Sequence, residues 1–320
     1  MIPVADILAA GRRLALHLPP TPLVHSPWLS ALASAEVRLK LESLQVTRSF
    51  KARGALNALT RLAALDPRPV VVTASAGNHG RAVAWAAERL GLRAVVFTPA
   101  TAPQAKLGPI RSHGAELRPI AADYEDAERM AMEFARTTGA AFVSPYSHQD
   151  VIAGGGTVAL EIREAWPEVD TIVVAIGGGG LISGIARLAK ATNPAIRVVG
   201  VEAAQSSAFT EARRAGRIVP ITVGKTLADG LGGNVDPGTL TWDYIRDLVD
   251  EVVTVSELDL AEGLRGLVAN DHLIAEGAGI AAVAAVAARR IAVDSARAAV
   301  VVSGANIDNS TLIEILTTAD

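Results

Sequence analysis

The sequence contains no cysteine. That absence removes disulfides, Cys–metal ligation and thiol nucleophiles together, and it is compatible with a reducing compartment. Aromatic residues make up only 4% of the chain, which leaves base-stacking platforms poorly supplied. Neither sign of charge dominates: 30 Lys and Arg stand against 33 Asp and Glu, for a formal charge of −3. No general electrostatic case exists for nucleic acid or an anionic membrane. Half the residues are hydrophobic, yet no uninterrupted apolar run approaches the roughly 20 residues of a membrane helix. The opening stretch, Met1-Ile-Pro-Val-Ala-Asp6, lacks the basic and apolar regions of a signal peptide. A cytoplasmic protein is expected, and 320 residues suffice for two domains or one large one.

Short β-branched runs alternate with alanine-rich helical stretches almost from end to end. Strands are expected at Val37–Leu41, Val70–Thr73, Ala94–Phe97, Glu116–Ile120, Thr171–Ile176, Val198–Glu202, Val252–Val255 and Ala298–Val302. Helical patterns lie between them, near Ala52–Leu65, Gly80–Leu90, Gln104–Ser112, Tyr124–Thr137, Val151–Trp166, Leu181–Ala191, Glu257–Asn270 and Gly279–Arg290. Gly91 is placed to stop the second of these. Continuous rather than alternating apolar strands point to parallel sheets covered on both faces, an α/β plan with crossover helices. No linker, internal repeat or low-complexity tract divides the chain.

Three glycine- or serine-rich turns follow strands, where ligands of open α/β sheets gather. In the first, Ile172-Val-Val-Ala-Ile-Gly177-Gly178-Gly179-Gly180-Leu181, a buried strand runs through four glycines into a helix. Backbone N–H groups and a helix N-terminus converge there, an arrangement that holds phosphate without a cationic side chain. No Gly-Lys-Ser/Thr follows, so it is not a Walker loop. The second is Val71-Val-Thr-Ala-Ser75-Ala76-Gly77-Asn78-His79-Gly80. Ser75 or Asn78 either caps the following helix or, with the turn's N–H groups, faces a carboxylate and a cofactor; His79 is given no proton-transfer role. The third, Ser303-Gly-Ala-Asn306, ends the last strong strand. Lys51, in Arg48-Ser-Phe50-Lys51-Ala-Arg-Gly, lies at the start of a helix. The helix dipole and burial beside Phe50 both favour the neutral amine that Schiff-base chemistry needs. From its own run alone, Lys51 reads equally well as an ordinary helix-start lysine.

These motifs occur together, in the order Ser49-Phe-Lys51-Ala-Arg-Gly-Ala55, Ser75-Ala-Gly-Asn-His-Gly80, Gly177–Leu181 and Ser303-Gly-Ala-Asn306, with Thr21-Pro-Leu, Asp150–Thr157, Ala228-Asp-Gly230 and Glu276-Gly-Ala-Gly279 beside them. In this the chain resembles the pyridoxal-phosphate enzymes of the threonine/serine dehydratase and serine racemase group, fold type II, from about Pro19 to Asn306. The resemblance implies two open, mainly parallel sheet domains with pyridoxal 5′-phosphate in the cleft between them. It implies Lys51 as the Schiff-base lysine and the base at the substrate Cα, with Phe50 packed beside the cofactor. Asn78 would hydrogen-bond the cofactor hydroxyl, Gly177, Gly178, Gly179, Gly180 and Leu181 would hold its phosphate, and Ser303 would face its ring nitrogen. Ser75, Ala76, Gly77, Asn78 and His79 would bind the substrate carboxylate. A neutral serine at the ring nitrogen favours β-elimination over transamination.

The sequence departs from the group's pattern at three places. Ala76 stands where racemases carry an acid/base serine, which weighs against racemisation. Arg48 stands where a glycine is usual and marks a place to look for unusual substrate specificity. Glu202 is followed by Ser206 and Ala208 rather than by a second carboxylate, so the divalent-cation site of some relatives is degraded and no strongly bound metal is expected. The chain ends soon after the Ser303 turn, with no appended sensor region, which suggests a catabolic or stand-alone enzyme. The implied function is an ammonia-lyase acting on a 3-hydroxy amino acid such as L-threonine or L-serine. Racemisation, β-replacement and a non-catalytic cofactor-binding module are the alternatives. Residues 64–145 are expected to form a small mobile domain inserted in a larger one of residues 1–63 and 146–320, and the molecule to be a homodimer.

Overall fold

The computed structural model describes residues 1–293 and 296–318. Among them ten strands form two sheets: β1 (Leu23–His25), β2 (Glu36–Leu41), β3 (Val71–Ala74), β4 (Ala94–Pro99), β5 (Glu116–Ala121), β6 (Ala141–Phe142), β7 (Thr171–Ala175), β8 (Arg197–Ala203), β9 (Glu251–Val255) and β10 (Arg297–Val302). All eight expected strands are present. The two missed ones, β1 and β6, are edge strands of 3 and 2 residues, too short to show a pattern.

The larger sheet has the order β1-β2-β10-β7-β8-β9, and every pairing is parallel except β1 with β2. Its central strands carry continuous buried apolar runs, as Ile172 to Ala175 in β7, because helices cover both faces. One face packs against helix Gly277–Ala287 and residues such as Leu29 and Leu260. The other packs against helices Gln149–Ala165 and Gly180–Thr192 and the N-terminal helix Val4–Leu14. Helix Gly277–Ala287 is buried along almost its whole length and accordingly apolar all round. A Cβ at Gly279 would lie 2.1 Å from the carbonyl oxygen of Gly304. That close approach presses the helix start onto the turn after β10.

The smaller sheet, β5-β4-β3-β6, is entirely parallel and uses only residues between Val71 and Phe142. Helices Lys51–Ala63 and Asn78–Leu90 pack on one face and helix Tyr124–Thr138 on the other. Gly91, at φ +64°, ends helix Asn78–Leu90 as expected. That helix begins two residues earlier than the apolar pattern suggested, which makes Asn78 its first residue. Neither Ser75 nor Asn78 caps it; the Asn78 side chain is used elsewhere. No helix of the described residues is long and apolar enough to cross a membrane.

Candidate active site

A cleft of about 440 Å³ opens between the two sheets, at the carboxyl ends of β3, β7 and β10. Phe50 and Lys51, residues Ser75 to His79, Gly177 to Leu181 and Ser303 all line it. Arg48 does not: its side chain is exposed and lies outside the cleft lining. Its peptide is nevertheless pinned beside the site, since Arg48 N donates to Gln45 O at 2.7 Å and Arg48 O accepts from Ala305 N at 2.9 Å.

Lys51 is the first residue of helix Lys51–Ala63. Its Nζ donates to the carbonyl of Pro145 at 2.8 Å and stands 4.9 Å from the centre of the Phe50 ring. Burial lowers its pKa to about 8, against the opposing pull of the Glu276 carboxylate. The amine is therefore released from its proton about two decades below an ordinary lysine.

The glycine run meets the geometric demand of an anion cradle. Among the described residues no acceptor in the chain faces the amides of Gly177 to Leu181, and helix Gly180–Thr192 begins there with its positive end inward. Two positions in the run are closed to any side chain. A Cβ at Gly178 would lie 2.2 Å from the Tyr146 ring, and Gly179 takes φ +84°.

The turn after β3 is different in kind. Gly77 N donates to Ser75 Oγ at 3.2 Å, which shapes the loop, while the Ala76 methyl faces the cleft without a proton to give. His79 is buried with Nε2 3.1 Å from Val143 O and Nδ1 without a partner. Burial, helped by the charge of Lys51, pulls its pKa down to about 3. A neutral imidazole with its proton on Nε2 satisfies that contact.

Asn78 belongs to a chain of hydrogen bonds that the sequence did not announce. Its Nδ2 donates to Glu276 Oε1 at 2.5 Å, and its Oδ1 accepts from Asn306 Nδ2 at 2.6 Å. Asn306 Oδ1 in turn accepts from Arg81 Nη1 at 2.6 Å. Glu276 is buried, and desolvation raises its carboxyl pKa to about 7, opposed by the Asn78 bond. Glu276 opens the Glu-Gly-Ala-Gly motif, the one signal that could have marked it; Arg81 carried none beyond its place two residues past His79. The chain, with an ion pair between Lys106 and Asp229, ties the smaller-sheet elements to the larger across the cleft.

Ser303 is buried at the end of β10, its Oγ 3.5 Å from Ala278 O, a weak contact that leaves the hydroxyl available to the cleft. Glu202 lies apart from the cleft. Both its oxygens are engaged: Phe209 N and Thr210 N each donate at 2.8 Å and Thr210 Oγ1 at 2.7 Å. It is an anionic cap for helix Ala208–Ala215, and Ser206 Oγ accepts from Gly233 N at 3.1 Å. Among the described residues no group of three His, Asp or Glu is placed to hold a metal ion.

The family model described as pyridoxal-phosphate dependent enzyme matches residues 14–304. The L-threonine ammonia-lyase of Thermotoga maritima is 39% identical over 316 residues, covering 99% of this chain and 78% of that protein. Maize serine racemase superposes with a TM-score of 0.91 at 33% identity, over 97% of this chain and 95% of that one. A pyridoxal 5′-phosphate-dependent aspartate racemase superposes with a TM-score of 0.87, also at 33% identity, over 97% and 98% of the two chains.

Proposed function

The chain belongs to the pyridoxal-phosphate dependent enzymes, and from that premise we propose that it is an ammonia-lyase eliminating water from a 3-hydroxy amino acid of the L-threonine or L-serine type. The products are a 2-oxo acid and ammonia. The likeness to an L-threonine ammonia-lyase over 99% of this chain supports this reading, and one observation in the site carries it: a lysine with a lowered pKa lines a cleft in which the Ser75–His79 turn carries a methyl, not a hydroxyl, at Ala76.

The site's donors fit the cofactor. Free amides at Gly177 to Leu181 suit its phosphate, Asn78 its ring hydroxyl, the Phe50 ring its flank and the neutral Ser303 hydroxyl its ring nitrogen. Lys51 is the amine that would hold its aldehyde carbon. When bound, pyridoxal phosphate supplies the electron withdrawal that acidifies the substrate Cα–H. The remaining work falls to the chain. The amides of the Ser75–His79 turn hold the substrate carboxylate at the start of a helix. Lys51 Nζ takes the Cα proton from one side, and a neutral Ser303, unlike a carboxylate, does not stabilise extra charge on the ring, so loss of the β-hydroxyl follows proton loss.

Reversible exchange of Cα configuration needs a second proton donor on the opposite face, and the Ala76 methyl is none. Racemisation is therefore disfavoured despite the likeness to serine racemase. The cross-cleft bonds of Asn78, Arg81 and Lys106 support a small domain of residues 64–145 closing on a large one of residues 1–63 and 146–320, which excludes water during elimination. The proposal extends to a cytoplasmic homodimer, for which sedimentation equilibrium is the check.

The deciding experiment measures 2-oxo acid release from L-threonine and L-serine alongside D-serine formation and thioether formation. Release of 2-oxo acid with little of the other two is expected. D-serine as the main product would replace the lyase reading with a racemase.

A further inference from the structure

Two arginines, Arg81 lining the cleft and the exposed Arg48 outside its lining, have no part in the chemistry above. Arg81 stands in the first turn of helix Asn78–Leu90, two residues beyond His79, and lines the cleft. Its hydrogen bond from Nη1 ends on the neutral Asn306 amide, and its Nε is buried with no partner. Among the described residues no carboxylate pairs with it. Lys106, another cation of the cleft, is paired with Asp229, and Lys51 is engaged by the cofactor chemistry. Arg81 is thus the cleft cation without a counterion.

Arg48 adds to the imbalance. Burial, and after it the charge of Arg48, disfavours the Arg81 charge. Arg48 also occupies φ +60°, a left-handed conformation costing a residue with a Cβ roughly 1–2 kcal/mol. Glycine would relieve that cost, yet an arginine occupies the position. A cleft guanidinium with a buried, unsatisfied N–H and no counterion, under the influence of a second positive charge, forms a site completed by an anion from outside.

The lyase reading supplies that anion if the substrate is dicarboxylic. The substrate's own α-carboxylate is already met by the Ser75–His79 amides. A serine or threonine side chain ends in hydrogen or methyl beyond its hydroxyl and offers the guanidinium nothing. A second carboxylate on Cβ reaches outward past the reacting centre toward Arg81.

We propose that Arg81, reinforced by the charge of Arg48, selects a 3-hydroxy amino acid bearing a second carboxylate, of the 3-hydroxyaspartate class; this rests on the lyase reading. The reaction balances without an added oxidant. The Cα–H and Cβ–O bonds break, water leaves, and the resulting enamine tautomerises to an imine. Hydrolysis of the imine takes up one water and releases ammonia with a four-carbon 2-oxo dicarboxylate. Arg81 is a specificity residue in this scheme, making contact with substrate away from the bonds that change.

The test compares the holoenzyme and its Arg81→Gln, Arg81→Lys and Arg48→Gln variants on threo- and erythro-3-hydroxyaspartate, L-threonine and L-serine. The quantity read is the ratio of kcat/KM for 3-hydroxyaspartate to that for threonine. It is expected to exceed about tenfold in the wild type and to fall about tenfold or more in Arg81→Gln, chiefly through KM, as loss of a charge-assisted contact predicts. Arg81→Lys should keep part of the ratio, and Arg48→Gln should lower it a few-fold. An unchanged ratio, or an equal loss on both substrates, overturns the proposal, the latter by assigning Arg81 to the α-carboxylate. A second measurement needs no turnover: succinate, but not butyrate, should raise the melting temperature of the wild-type holoenzyme, and Arg81→Gln should abolish the rise. Absence of a succinate effect also overturns the proposal. An enzyme that releases no 2-oxo acid from any 3-hydroxy amino acid refutes the lyase reading itself, while the succinate result still decides the anion site.

Discussion

Lys51 and Arg53 stand two residues apart at the start of one helix, and their surroundings resolve burial in opposite ways. Arg53 is almost wholly buried in a cluster where each charge has its counterpart. Its Nε and Nη2 meet Glu42 at 2.7 and 2.9 Å, and Nη1 and Nη2 meet Glu161 at 2.5 and 2.8 Å. Lys40 Nζ joins at 2.5 Å from Glu161 and donates to Thr21 O at 2.7 Å, while Thr21 Oγ1 donates to Glu42 at 2.5 Å. Burial alone would lower the Arg53 pKa, but Glu42 and Glu161 outweigh it and hold the guanidinium charged. Around Lys51 the accounting is left open: the amine reaches only a carbonyl, Glu276 is pushed toward its neutral form, and His79 Nδ1 and Arg81 Nε have no partner. Burial gives a structural brace where polar groups are satisfied, as at Arg53, and a candidate reactive centre where they are not, as at the half-buried Lys51.

The comparison can be broken most sharply at Lys51. Lys51→Ala should reduce 2-oxo acid release by at least about 10³-fold, as loss of a combined base and Schiff-base amine implies, while the protein still unfolds cooperatively; retained turnover would make Lys51 no different from a structural lysine. Arg53→Met attacks the other half. It leaves the buried Glu42 carboxylate without its cation, while Glu161 keeps Lys40, and should cost about 3–5 kcal/mol, read from the urea midpoint. A loss below about 1 kcal/mol would show that the cluster is not the brace described.

A third measurement sharpens the contrast through pH. Lys51 titrates near 8 in the folded apoenzyme against 10.5 for an ordinary lysine. Below pH 8 the amine is charged in both states and the folded state bears the full desolvation penalty. Between about 8 and 10.5 the unfolded chain binds the extra proton, so this penalty fades as pH rises. Lys51→Met apoenzyme should therefore be more stable than wild type at pH 7, by an amount on the order of a few kcal/mol, with the gap narrowing by pH 10. A gap that does not depend on pH would assign the effect to packing. The smallest effect is expected at Arg48→Gly, which removes the φ +60° strain and should raise stability by about 1 kcal/mol in thermal unfolding.

Much of this site could be read from the chain before its fold was known. Lys51, the Ser75–Gly80 and Gly177–Leu181 turns and Ser303 all sit at local features: a strand end, a glycine run, a helix start. Such features are legible because backbone geometry restricts which residues fit, as at Gly178 against Tyr146. Glu276, Asn306 and Arg81 were not assigned to the site. Their importance lies in the pairing of Asn78 with Glu276, 198 positions away, and no local pattern encodes that. Glu202 shows the same limit from the other side, since nothing near it in sequence revealed that two helix amides would take both its oxygens.

By itself, then, the sequence determined the α/β plan, the parallel strands and the candidate residues that line the cleft, because hydrophobic period, glycine turns and side-chain chemistry are local properties. The tertiary structure decided which of them meet. The last strand, β10, inserts between β2 and β7, with Val300 opposite both Leu39 and Val173. That brings the Ser303 turn beside Lys51: Phe50 N donates to Ser303 O at 3.0 Å. It also sets Glu276 and Arg81 at the ends of one hydrogen-bonded chain. Burial lowers the pKa of Lys51 and leaves Arg81 without a counterion, and burial depends on everything packed around a residue rather than on the residues beside it in the chain.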